Sequence, residues 1–327
     1  MSALVIAAVL VIAKSTAAAL VALAVDAQLR RRGFHRSRGF AVLPGLLILL
    51  PVLTTLGPSL SSPIVRLPHG IVAMPVSPLF PNVSLATVLV GIWLTGALYS
   101  FARLLHGWRV TRHIVRSATL GNSAALNDTV KRTAAAVGFR GPLPRIAYSA
   151  TLQSPAVVGW RRPVILLPDD ASSWPQEELF GVLCHELSHV AQRDWLCYLL
   201  EEIATALYWP NPVVRMLWRR TSLRRELAAD RAALAAGVSP SEYATRLIAV
   251  ARACTRGQLA MSMAFGSSHR TDLSIRVKAL FAPPPRRSAV EELLGVALVV
   301  ATTVLLAASQ PIKCVPKNSP AAPPSQT

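Results

Sequence analysis

The sequence predicts a multi-pass α-helical membrane protein with a cytoplasmic α+β region that is mostly helical and contains a small β-sheet. The first observation is composition: of 327 residues, 52% are hydrophobic, and the mean hydropathy is +0.43. The second is the net charge of +18, which is concentrated in particular segments. The third is a short His- and Glu-containing motif inside one of these basic segments. Together they indicate membrane spans around a water-exposed region that carries chemistry.

The basic residues lie in alternate segments of the chain. Residues 30–38 hold five of the 34 Lys and Arg, and residues 103–287 hold 25. Residues 39–102, by contrast, contain only Arg66. This is the positive-inside pattern, which places basic loops in the cytoplasm. Direct nucleic-acid binding is therefore not required to explain the charge, although a basic face can attract the anionic lipids of the bilayer.

Four apolar segments are long enough to cross a bilayer: residues 3–25, 40–57, 83–102 and 288–310. The cluster Arg30-Arg31-Arg32 follows the first of them, so we expect the N-terminus to lie outside. The third span then delivers residues 103–287 to the cytoplasm. We expect residues 58–82 to form an external loop and residues 311–327 a short disordered tail, also outside.

The region 103–287 alternates between helical and strand-like patterns. We expect helices near residues 104–117 and 124–137, and strands at residues 145–148 and 155–167, the latter as a hairpin. An edge strand here could bind an extended peptide or could only pack the site. A cap at Ser173 predicts one long helix towards residue 208. Further helices are expected over residues 213–236, 239–254 and 272–281.

The most informative motif is His185-Glu186-Leu187-Ser188-His189. On a helix, two histidines four residues apart lie on one face, with about 5–6 Å between Cβ atoms, so both imidazoles can bind one zinc ion. The glutamate that follows the first histidine can reach a water on the metal without ligating it, which is the position of a general base. Glu186 is therefore the candidate catalytic residue, with one Zn²⁺ per chain.

A second segment supplies the remaining candidate residues. Glu226 is the candidate third metal ligand, and Asp230, four residues later, is placed to accept an imidazole N–H. Asp194 either plays a similar supporting role or pairs with nearby arginines. The group that would stabilise an oxyanion is left open among Tyr208, Tyr243 and His269.

These residues resemble the BlaR/MecR family of bacterial membrane zinc peptidases, the antirepressors. The resemblance rests on a set of linked motifs: Ser154-Pro155, Gly159, Arg162-Pro163, Leu166-Leu167-Pro168, His185-Glu186-Leu187-Ser188-His189, Arg193-Asp194, Trp209-Pro210-Asn211-Pro212 and Arg225-Glu226-Leu227-Ala228-Ala229-Asp230. It implies a gluzincin-type zinc endopeptidase in the bacterial cytoplasmic membrane. It also implies a signalling role in which a cytoplasmic winged-helix repressor is cleaved.

One departure from that family, and two alternatives, complete the prediction. The antibiotic-sensing members continue after the fourth span into a large external penicillin-binding domain, whereas about fifteen residues follow here, so β-lactam sensing is not expected. One alternative is a quality-control protease similar to HtpX. The other is a non-catalytic membrane scaffold in which zinc only staples helices together. The oligomeric state is left open.

Overall fold

The computed structural model describes residues 3–31, 85–159, 162–256, 269–283 and 289–308. The predicted span 40–57, the loop 58–82 and the tail 311–327 lie outside these described residues. Within them the chain is mostly helical, as predicted. The helices are α1 (Ala3–Arg31), α2 (Leu85–Ser117), α3 (Ala124–Val137), α4 (Gln176–Gln192), α5 (Asp194–Leu207), α6 (Pro212–Ala235), α7 (Pro240–Arg256), α8 (His269–Leu280) and α9 (Ala289–Ala308).

Two of these helices are long and apolar enough to cross a membrane, through the stretches Val11–Gln28 of α1 and Thr87–Ser117 of α2. Helix α9 contains a shorter apolar stretch, Leu293–Leu305, and packs against α1. The predicted third span and the helix expected after it are one continuous helix, because no proline interrupts residues 85–117. Helix α2 also exposes many large apolar side chains, including Leu89, Ile92, Leu94, Leu98 and Tyr99. A surface of this kind is suited to an apolar surrounding.

A small sheet supports one side of the zinc-motif helix. Its strands are β1 (Thr119–Leu120), β2 (Arg145–Ser149), β3 (Ala156–Val158) and β4 (Val164–Pro168), in the order β1-β2-β4-β3. Strands β3 and β4 are antiparallel, which confirms the predicted hairpin, and β2 runs parallel to β4. Every residue of β4 is buried. Helices α3 and α4 cover the face of Ile165 and Leu167, and a second cluster that includes Leu152 covers the face of Val164 and Leu166. Strand β3 is left at the edge of the sheet.

The prediction of one helix from a cap at Ser173 to about residue 208 is wrong at its start and at Arg193, although the helical segment does end at Leu207. Ser173 instead closes a 3-10 turn, where its hydroxyl donates to the carbonyl of Asp170, and α4 begins after Pro175. At the other end Arg193 adopts a left-handed conformation, with φ 55° and ψ 38°, and α5 starts at the next residue. The chain therefore turns directly after the second histidine of the motif.

Helices α5 and α6 form a hairpin whose tip reaches α1 and α2. The indole N–H of Trp209 donates to the carbonyl of Trp93, and the Trp93 indole donates in return to Leu207. A side chain at Gly96 would collide with the Trp209 ring, so this close approach requires glycine. Asn211 caps α6 by accepting from the N–H groups of the first turn. Helix α6 is thus set between the candidate spans and α4.

Candidate metal centre

The two histidines of the motif face each other across one side of α4. Their Nε2 atoms are 3.2 Å apart, and the rings meet edge to face with 4.8 Å between centroids. Glu226 approaches from α6: its Oε2 lies 3.5 Å from His185 Nε2, and its Oε1 lies 3.7 Å from His189 Nε2. Three donor groups from two helices therefore converge on one point.

The spacing of these donors fits a zinc ion. Zinc takes nitrogen and oxygen ligands at about 2.0–2.1 Å in tetrahedral geometry, which puts neighbouring ligand atoms roughly 3.3 Å apart. The three candidate ligand atoms all lie within 4.8 Å of one another. Both Nδ1 atoms face carboxylates, so a neutral ring would carry its proton there and leave its Nε2 free to bind a metal ion.

A buried network holds His185 from behind. Its Nδ1 lies 2.9 Å from the hydroxyl of Tyr243 and 3.1 Å from Oδ1 of Asp230. The Tyr243 hydroxyl donates to the same carboxylate at 3.0 Å. Asp230 is 1% exposed, so these contacts take place away from solvent. Asp230 therefore lies where it was predicted, against an imidazole N–H.

Arg276 of α8 completes this network, although its role was not predicted from the sequence. Its guanidinium donates to both oxygens of Asp230, at 2.8 and 2.6 Å, and a further nitrogen lies 2.8 Å from Oε2 of Glu226. One side chain thus holds a metal ligand and the residue that supports another. No local motif marks this arginine, because it lies 46 residues after Asp230 on a different helix.

His189 is held from the opposite side by Asp194. Its Nδ1 lies 2.8 Å from Oδ2 of that carboxylate, which belongs to the first residue of α5. The turn at Arg193 produces this contact, because it folds the start of α5 back beside the end of α4. Of the two roles considered for Asp194, the structure places it on the imidazole.

Comparison with known proteins identifies the family of the chain. A family model described as BlaR1 peptidase M56 matches residues 69–280, about two thirds of the chain. The chain belongs to this family. The regulatory protein BlaR1 of Bacillus licheniformis is 34% identical over 89 residues, which is 27% of this chain and 15% of that protein. The methicillin resistance mecR1 protein of Staphylococcus aureus (strain Mu50 / ATCC 700699) is 25% identical over 136 residues, which is 41% of this chain and 23% of that protein. The chain thus matches less than a quarter of each relative's length.

Charge and burial set the protonation of the M56 site in its metal-free form. Burial disfavours a charged His185, but the hydrogen bonds that it donates to Asp230 and Glu226 outweigh this effect and raise the imidazole pKa to about 10. Burial also opposes ionisation of Glu226, yet Arg276 and the imidazoles hold its pKa well below the usual range. Burial raises the pKa of Glu186. The pocket thus combines an ionised ligand carboxylate with a carboxyl group that binds protons more readily than usual.

Glu186 lies on a large cavity that also reaches the sheet and α2. The cavity encloses about 2330 Å³, and its walls include His185, His189, Glu226 and the edge strand β3. Glu186 is 8% exposed, and within the described part of the chain no hydrogen bond or ion pair engages its carboxylate. This carboxylate is therefore available to a water molecule or a substrate in the cavity.

The three oxyanion candidates have different positions. The Tyr243 hydroxyl is engaged behind His185, on the Nδ1 side, away from the converging Nε2 atoms. Tyr208 is 3% exposed and belongs to a core cluster with Ala18, Ala22 and Leu217, so it packs against α1. The side chain of His269 lies outside the described residues. Neither described tyrosine faces the metal ligands with a free hydroxyl.

Proposed function

We propose that the protein is a multi-pass, membrane-embedded zinc endopeptidase of the gluzincin type, in which His185, His189 and Glu226 hold one Zn²⁺. The observation that carries the proposal is the convergence of two imidazole Nε2 atoms, 3.2 Å apart, with the Glu226 carboxylate facing both. Membership of the BlaR1 peptidase M56 family supports the same chemistry.

Glu186 is the catalytic residue of this proposal. A bound zinc ion would supply Lewis acidity for the scissile carbonyl and would lower the pKa of a water molecule. The Glu186 carboxylate accepts the proton of the attacking water and delivers it to the leaving amine. Burial raises the pKa of this carboxyl group, which favours the proton-accepting half of that cycle. Asp230 and Asp194 accept hydrogen bonds from the Nδ1–H groups of the two imidazoles, which leaves each Nε2 free to bind the zinc ion.

Strand β3 is the proposed binding edge for an extended peptide. Among the described residues Ala156–Val158 pairs with β4 alone, and it lies on the same cavity as Glu186. A peptide that added to this edge would form main-chain hydrogen bonds and pass close to the general base. Of the two roles that the sequence left open for the hairpin, this position favours peptide binding over packing alone.

The proposed topology places the zinc centre on the cytoplasmic side of the bacterial cytoplasmic membrane. Helices α1, α2 and α9, with residues 40–57, would cross the bilayer, and both termini would lie outside. The exposed apolar side chains of α2 support a lipid contact for that helix. The 25 basic residues between 103 and 287 support the cytoplasmic position of the zinc region.

The proposed substrate is a cytoplasmic protein, namely a winged-helix transcriptional repressor. The relatives named regulatory protein BlaR1 and methicillin resistance mecR1 protein support a signal-transducing protease. The alternatives are a quality-control protease similar to HtpX and a non-catalytic scaffold. A structural zinc site needs no glutamate beside its ligands, so the buried, cavity-facing Glu186 favours catalysis over a scaffold.

The test compares cells that produce the wild type with cells that produce Glu186→Gln. Quantitative N-terminal proteomics follows which new cytoplasmic protein ends depend on Glu186, and metal analysis of the purified variant checks that zinc is retained. We expect one cut in a DNA-binding repressor. Many cuts in damaged membrane proteins would favour the quality-control alternative. Cleavage that is unchanged in the variant would contradict the mechanism.

A further inference from the structure

Three consecutive residues of α6 contact three different parts of the molecule. Arg224 pairs with Asp26 of α1, Arg225 pairs with Glu201 of α5, and Glu226 faces the histidines of α4. Successive residues of an α-helix point about 100° apart, so one turn of α6 can reach three neighbours. The position of Glu226 relative to the histidines is therefore linked to α1 and α5 through its immediate neighbours.

The contact with α1 combines a buried ion pair with a hydrogen bond to the backbone. Nε of Arg224 lies 2.5 Å from Oδ1 of Asp26, and its Nη2 donates to the backbone carbonyl of Asp26 at 3.0 Å. The two residues are 6% and 1% exposed. Buried ion pairs add little stability compared with apolar side chains of similar volume, because desolvation is costly. Their better-attested use is to fix one arrangement of neighbouring elements.

A second polar contact joins the same two helices. The amide nitrogen of Asn211 donates to the hydroxyl of Thr16 at 2.8 Å, at the start of α6. Between the two contacts, small α1 residues pack against α6 side chains in one core cluster that includes Ala18, Ala19, Ala22, Val214 and Leu217. Thr16 precedes Asp26 in α1 as Asn211 precedes Arg224 at α6, so the two helices run in the same direction. These contacts fix both the position of α6 along α1 and the rotation of α6 relative to α1.

We propose that Asp26 is a positioning residue for the metal ligand Glu226 and acts through its buried ion pair with Arg224. Glu226 follows Arg224 by two residues, which places it about 200° around α6 and roughly 3 Å further along the axis. A shift or rotation of α6 on α1 therefore moves the Glu226 carboxylate relative to His185 and His189. Helix α1, a candidate membrane span, would in this way set the geometry of the metal centre. The inference rests on the zinc site proposed above.

The test uses full-length protein in lipid nanodiscs, loaded with Co²⁺, whose visible absorption reports on ligand geometry. In Asp26→Asn we expect an altered cobalt spectrum and a metal dissociation constant raised about tenfold, at the lower end of the range for residues that orient ligands. Asp26→Glu keeps the charge, so its cobalt spectrum and metal dissociation constant should lie much closer to the wild-type values. The matched control is Glu177→Gln, which changes the same chemical group in an exposed pair with Arg132 and should leave both readouts at the wild-type values.

A second variant covers the case in which Asp26→Asn does not fold. The double variant Asp26→Leu/Arg224→Met removes both charges and keeps apolar packing, so we expect it to fold. An altered cobalt spectrum in the folded double variant supports positioning. A wild-type spectrum and affinity in either folded variant would overturn the inference. If the wild type itself binds no Co²⁺ or Zn²⁺, the proposed zinc site fails instead.

Discussion

The two histidines of the metal centre are supported in different ways. His185 lies within α4, and its Nδ1 faces a buried network of Asp230, Tyr243 and Arg276, contributed by α6, α7 and α8. His189 lies near the end of α4, and its Nδ1 faces Asp194, only five residues further along the chain. One ligand therefore depends on the packing of several helices, and the other depends on one local turn.

This difference indicates which ligand links the metal centre to the rest of the fold. The network behind His185 also includes Glu226, because Arg276 contacts both Glu226 and Asp230. Two of the three candidate ligands thus share one set of supports. A disturbance there should affect metal binding and folding together, whereas a disturbance at Asp194 should affect mainly the metal.

The largest expected effect follows from Asp230→Ala. The change removes one carboxylate partner of Arg276 and the carboxylate that faces His185 Nδ1. We expect zinc affinity to fall about 100-fold and the free energy of unfolding to fall by about 3–5 kcal/mol, as for a broken buried ion pair. Zinc competition with a chromophoric chelator and thermal unfolding measure the two quantities. Wild-type values for both would show that this network does not support the site.

Arg276→Lys should have the next largest effect. A lysine retains the positive charge but cannot present the planar fork that reaches Asp230 and Glu226 together. We expect zinc affinity to fall roughly 30-fold, within the range seen for residues that orient metal ligands. Arg132→Lys is the control, because that arginine contacts Glu177 at an exposed position. Equal affinities for the wild type and Arg276→Lys would mean that charge alone is sufficient.

The same contrast explains how much of the site the sequence could predict. The pairing of His185 with His189 on α4, and of the candidate ligand Glu226 with Asp230 on α6, follows from helical spacing, because residues four apart share a face. Arg276 could not be predicted, since its role depends on how α8 packs against α6. The turn at Arg193 was also missed, because glycine is the usual residue at a left-handed helix end and none is present there.

The fold, like the site, could be predicted from the sequence only where the signals are local. The β3–β4 hairpin and the helix Ala124–Val137 were predicted from strand and cap signals within short windows. The parallel pairing of β2 with β4 was not, because it joins residues about twenty positions apart through buried side chains. Likewise, the contact between the Trp209 segment and α2 depends on tertiary packing around Gly96, which no local pattern reports.

Asp194→Asn should lower zinc affinity with a small effect on folding. The amide still occupies the space beside His189 but accepts the N–H more weakly than a carboxylate. We expect about a tenfold loss of zinc affinity and about 1.5 kcal/mol of lost stability, at the lower end of the range for a hydrogen bond to a charged group, because the amide still accepts the N–H. The measurements are those used for Asp230→Ala. If Asp194→Asn destabilises the fold as much as Asp230→Ala, the distinction between a local and a distributed support is wrong.

Tyr243→Phe should have the smallest effect. It removes one hydroxyl from the network behind His185 and leaves Asp230 and Arg276 in contact with each other. Burial, together with Asp230, raises the pKa of Tyr243 well above its usual value, so the hydroxyl stays protonated and acts as a donor. We expect the free energy of zinc binding to become less favourable by about 1 kcal/mol, which corresponds to about a fivefold weaker zinc affinity.

The turnover number of Tyr243→Phe distinguishes a residue that only orients His185 from one that takes part directly in catalysis. Loss of an oxyanion donor lowers kcat by about 10²–10³-fold, whereas loss of a residue that only orients His185 should leave kcat of the zinc-saturated enzyme within a few-fold of the wild type. The Tyr243 hydroxyl lies behind His185, 2.9 Å from Nδ1, so we expect the smaller effect. A hundredfold fall in kcat at saturating zinc would instead place Tyr243 at the reacting carbonyl. It would also mean that the buried network behind His185 opens during catalysis.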